Sequence, residues 1–140
     1  MNVKRWLLAS LATFAVILVL DMILNMLLLT QLYRQTAAVW RPAPELERLI
    51  PLIWVAMAVS TLFFTLIYAQ SFDRKRAGAA QGMRYGLYMG LFYFTLYCMV
   101  SYAVLPIPAT LVAWWFFGGV VEYIAGGAMV GWMYRHGDPA

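Results

Sequence analysis

Two carboxylic acids, Asp21 and Glu122, stand inside long apolar runs, and they are the side chains of this sequence best placed to do chemistry. A carboxylate in hydrocarbon is costly unless it is protonated or faces protein, water or a cation. Such a group can carry a proton, hold a cation, or act as a neutral hydrogen-bonding acid between helices. Asn25 follows Asp21 by four residues, one helical turn, and Ser10 and Thr13 precede it. At 100° per residue these four fall within roughly 120° of one another and form one polar stripe. No Lys or Arg lies deep in the run around Glu122. The neutral, protonated acid is therefore expected there.

A rise of about 1.5 Å per residue converts sequence position into depth. With Trp6, Ser71, Arg84 and Trp132 taken as markers of one membrane interface, Asp21 lies roughly 22 Å in and Glu122 roughly 15 Å in. Thr61 and Tyr93 come out level with Glu122, and Tyr97 level with Asp21. Two stacked polar layers are expected: Glu122 with Tyr93 and Thr61, then Asp21 with Asn25 and Tyr97. The offset argues against a direct carboxyl–carboxyl pair.

Other chemistries lack their residues. Bis-histidine haem ligation, a Ser–His centre or a zinc site needs more than His136, the one histidine. Cys98 is alone, so no disulfide or dithiol is possible within the chain. Lys4 and Lys75 both lie outside the apolar runs, which leaves no Schiff-base lysine. No phosphate-cradling motif is present. No enzymatic activity and no cofactor are expected.

The elements that must hold the two acids are apolar helices. Of 140 residues 64% are hydrophobic and 11% charged, too little polar surface to cover a soluble core. About 20 apolar residues cross a bilayer. The expected fold is all-α: one domain over residues 1–140, a four-helix transmembrane bundle with spans near 6–30, 51–70, 85–105 and 109–134. The first run is too long for a signal peptide and is expected to remain as a helix. Arg41-Pro42-Ala43-Pro44 reads as an extended turn leading to a short interfacial helix, with Pro51 tolerated near a first turn or at a kink. Leu105-Pro106-Ile107-Pro108 reads as a stiff corner.

Glycines set how closely the helices approach. Gly82, Gly86 and Gly90 repeat every fourth residue and form a small-residue face. In the last span Gly118, Gly119 and Gly126 share the face of Glu122, while Gly127 and Gly131 lie nearly opposite. A helix with two small faces takes two neighbours, one of which could come from another subunit.

The net charge of +4 is unevenly placed. Lys4, Arg5, Arg74, Lys75, Arg76, Arg84 and Arg135 fall on one side; Arg34, Arg41 and Arg48 fall on the other with Glu45 and Glu47. The positive-inside rule puts both termini and the 74–76 run in the cytoplasm. The basic residues read as topology signals and lipid contacts, and nucleic acid is not an expected partner.

Gly-x-Arg-Tyr-Gly at 82–86, Tyr-Ala-Val-Leu-Pro-Ile-Pro at 102–108 and the glycine-rich Glu122 helix resemble small four-helix bacterial inner-membrane proteins grouped as domains of unknown function. The resemblance implies a multi-pass inner-membrane protein and no particular activity. Three readings stay open. The leading one is an interaction protein, oligomeric or an accessory subunit of a larger membrane complex, with lipids, itself or another membrane protein as partners. The second is a small proton- or cation-coupled transporter using Asp21 and Glu122. The third is a binding protein for a lipid, quinone or other hydrophobic ligand.

Overall fold

The computed structural model describes residues 2–71, 73 and 78–135. Its helices follow the apolar runs: α1 at Val3–Met22, a π-helical segment at Ile23–Leu28, a short α2 at Thr30–Gln35, a 3-10 turn at Ala37–Val39, α3 at Ala43–Ser71, α4 at Ala79–Val104 and α5 at Ala109–Arg135. No strand forms among the described residues. Four of these stretches, with α1 and the π segment counted together, are long and apolar enough to cross a membrane.

Local chemistry explains where the helices begin and end. Asn2 caps α1, its side chain accepting from the Arg5 N–H at 3.2 Å. Pro42 supplies the carbonyl that opens α3, accepting from the N–H groups of Glu45 and Leu46. Gly78, at φ +147°, takes a backbone conformation that residues with a Cβ rarely adopt, and α4 starts one residue later. The Leu105–Pro108 corner ends α4, and the Pro108 carbonyl accepts from Leu111 and Val112 to open α5. The expected short interfacial helix and second span are instead one continuous helix, α3, with Pro51 inside it. Proline removes one N–H from the ladder there, and the helix carries on through it.

α5 is the central element, packed along its length against α4 and over a shorter stretch against α1; α3 lies mainly against α1. The α4–α5 contact is backbone on backbone. A Cβ at Gly82 would run into the Gly127 carbonyl oxygen and stand 2.9 Å from the Gly131 Cα. One at Gly86 would strike the Tyr123 carbonyl, and one at Gly90 would sit 3.1 Å from the Tyr123 Cβ. The other small face of α5 meets α1 and the π segment: Gly118 receives the Leu24 side chain, and Gly126 faces Ile17 and Thr13. Gly119 turns towards α4 instead, where the Phe94 ring fills the space a Cβ would need. Both small faces of α5 are thus occupied within one chain, and neither is left open for another subunit.

At the end carrying Arg5, polar groups tie all four long helices together. Trp6 donates to the Leu62 carbonyl at 3.2 Å, and the Ser10 and Thr65 hydroxyls share a 2.6 Å hydrogen bond. Tyr85 donates to the Phe64 carbonyl at 2.6 Å, and Arg5 donates to the Met133 carbonyl at 2.8 Å while lying over the Tyr134 ring. The other half of α3 is different. Thr61, Phe64, Thr65 and Tyr68 are buried, but no residue from 43 to 60 is. Trp54 and Met57, which share a side of the helix with Thr61, are therefore left uncovered or half-covered. The basic run 74–76 and His136 lie outside the described residues.

Candidate functional site

The polar stripe of α1 faces the interior. Ser10 and Thr13 are buried, and Asp21 and Asn25 are half-buried further along. Where the stripe reaches Asn25 the helix widens: the Leu29 N–H bonds to the Leu24 carbonyl, five residues back, at 2.9 Å. Such π turns disturb the regular carbonyl ladder and recur at functional sites. Here the Asn25 amide donates both to the Asp21 carbonyl at 3.1 Å and to Asp21 Oδ1 at 2.8 Å. The same residue is satisfying the backbone and holding the acid.

Three more groups extend this contact outwards. Tyr33 donates its hydroxyl to Asn25 Oδ1. Trp115 Nε1 donates to the Tyr33 oxygen at 2.8 Å. Trp40 closes the cluster, with ring centroids 5.7 Å from Tyr33 and 6.1 Å from Trp115, and anchors its own Nε1 on the Thr36 hydroxyl at 2.9 Å. Burial pushes the Tyr33 phenol up to about 12, so it remains a donor throughout the neutral range. From Trp115 through Tyr33 and Asn25, every donor in the chain points towards Asp21. A hydrogen-bonded series with one sense polarises its members and strengthens the last acceptor contact.

Glu122 sits in a different environment. It is 6% exposed, and its Oε1 has no hydrogen-bond partner. It lies within electrostatic reach of Asp21, Tyr33 and Tyr123. The Thr13 hydroxyl, on the α1 surface facing Gly126, is likewise fully buried and unpartnered. That sets Thr13 apart from Ser10, Thr61 and Thr65, each of which bonds back to its own helix's carbonyls. Two buried oxygens without partners therefore lie along the α1–α5 contact.

The expected layers need correction. Thr61 is buried but spends its hydroxyl on the Met57 carbonyl at 2.8 Å. Tyr93 is 47% exposed and stacks between Tyr97 and Tyr123, at 5.9 and 6.0 Å, rather than joining Glu122 in the interior. Tyr97 is 41% exposed and lies 5.6 Å from the Trp115 ring; the hydrogen-bond partner of Asn25 is Tyr33 in its place. The physical reason is the uncovered half of α3, which leaves that side of α4 without a neighbour at this level. Cys98 is buried among Leu24, Leu29, Leu111 and Trp115. Among the described residues no group of His, Cys, Asp and Glu is arranged to hold a metal.

Sequence reasoning missed Tyr33, Trp40 and Trp115 as partners of the acids. Asn25 and Tyr33 are eight residues apart, which leaves them about 80° out of line on a regular helix, and the π turn brings them together.

Fold and site define an all-helical protein with four helices of membrane-crossing length around an interior that holds two acids. Comparison with protein families, curated proteins and solved structures finds no match.

Proposed function

We propose that this chain is a multi-pass protein of the bacterial inner membrane, with both termini in the cytoplasm, and that it works as an interaction protein. It would act as an oligomer or as an accessory subunit of a larger membrane complex. The observation that supports this reading is the outer half of α3. Residues 43–60 contribute nothing to the buried interior, and Leu52, Ile53, Trp54, Val55 and Val59 are all exposed large apolar side chains. A helix that is apolar on every side from Leu49 to Val59 and tied to its own bundle only through its last turns has room for a neighbour on more than one side. The interface is not a glycine face, since both faces of α5 are filled internally. Purification in mild detergent, followed by mass spectrometry of co-purifying chains, tests the reading. A stoichiometric second chain or a defined oligomer is expected; a monomer with lipid alone would contradict it.

A second reading, proton- or cation-coupled transport, draws on the unpartnered Glu122 oxygen near Asp21. Intramembrane acids that lack a structural partner are functional candidates by default. Uptake into vesicles by the wild type and Glu122→Gln, driven by an imposed pH gradient, tests it. Equal flux in both would remove it.

A further inference from the structure

Three arginines lie at the end of the bundle that the charge bias leaves poor in them, and two rim one groove. Arg34 lies in the last turn of α2 and Arg41 precedes α3; between them and the π segment is an open depression of about 770 Å³. Its apolar wall includes Met26, Trp40 and Leu46, and it begins where the first apolar helix stops at Leu28. In a chain that spans a bilayer this is the level at which hydrocarbon gives way to headgroups. Arg34 makes no ion pair with a described residue, and Arg41 meets only an exposed Glu45 oxygen at 3.4 Å. Exposed pairs of that kind contribute little and exchange readily.

We propose that this groove binds one anionic phospholipid, its headgroup phosphate between Arg34 and Arg41 and the upper part of an acyl chain against Met26, Trp40 and Leu46. Three features favour this occupant. Two guanidiniums at the rim match a phosphate, which takes two parallel N–H donors from an arginine fork. The apolar wall suits a chain and not a free anion. The depression, about 770 Å³ in volume, has room for a headgroup and the upper part of one acyl chain. The proposal stands independently of the interaction and transport readings.

Native mass spectrometry of the purified protein, titrated with phosphatidylglycerol or phosphatidylcholine of matched chains, tests it. The wild type should retain the anionic lipid in preference to the zwitterionic one. Each arginine near an anionic headgroup contributes roughly fivefold in affinity, so Arg34→Gln with Arg41→Gln should reduce the preference by roughly 25-fold. Arg48→Gln, outside the groove, should retain it, with the same thermal stability in all three proteins. Equal retention of both lipids by the wild type, or a preference that survives in the double variant, would overturn the proposal. So would displacement of the lipid by water-soluble glycerol phosphate, which would show a headgroup site without a chain, or a dimer mass that excludes lipid.

Discussion

Asp21 and Glu122 are the same kind of group in one interior, and their neighbours make them different. Asp21 ends a series of donors running from Trp115 through Tyr33 and Asn25, whereas Glu122 Oε1 accepts nothing. Tyr33→Phe removes a hydroxyl that both accepts and donates, so two partners lose a bond at once. Detergent unfolding should show a loss of about 1–3 kcal/mol, the usual consequence of stranding buried polar groups. Glu122→Gln keeps shape, acceptor and donor and should unfold like the wild type, while Glu122→Leu, which removes an acid within electrostatic reach of Asp21 and Tyr33, should differ measurably from both. At this scale the Asp21–Asn25 pair was legible, because spacing by four on a helix is enough. Tyr33 was not, because the π turn adds a residue to one helical turn. A wheel drawn at 100° per residue is then wrong by about that angle for everything beyond Ile23.

Among the elements, the glycines of α4 and α5 do two distinct jobs. Gly82, Gly86, Gly127 and Gly131 bring backbones together, so any added carbon meets peptide atoms that cannot rotate away. Gly118 meets only the Leu24 side chain, which can. Gly82→Ala should therefore destabilise by about 1–3 kcal/mol in thermal or denaturant unfolding, and Gly86→Leu should fail to assemble the bundle. Gly118→Ala should be milder than Gly82→Ala, and Leu11→Ile, on the exposed face of α1, should be neutral. Equal stability for Gly82→Ala and Leu11→Ile would remove the close crossing from the account. Small residues at every fourth position revealed this face in the sequence. Which helix each glycine meets was not legible: Gly119 lies within one turn of Glu122, yet it faces Phe94 of α4. Neighbouring helix directions decide that, and they depend on contacts distant in sequence.

For the whole molecule, the four long apolar helices followed from hydropathy, but their arrangement did not. α3 is apolar on every side from Leu49 to Val59, and its sequence marks none of them as covered. Only its last part is held, by Trp6, Ser10 and Tyr85. Hydrophobicity cannot report this, since a lipid-facing and a helix-facing leucine look alike. Orientation is read from charge, with seven of ten basic residues on one side. Single cysteines at Gln35 and Asp73 in a Cys98→Ala background should be labelled from outside and inside respectively by an impermeant maleimide. Labelling of position 73 from outside would invert the molecule.

The central claim is that another chain covers the outer half of α3. Photo-crosslinking amino acids placed at Val55 and Val59, with Leu11 of α1 as the control, test it in native membranes. Both α3 positions are predicted to give one discrete higher-mass protein adduct, and the α1 position only lipid. If all three positions gave lipid adducts alone, the outer half of α3 would be a lipid-facing surface and the interaction reading would fall.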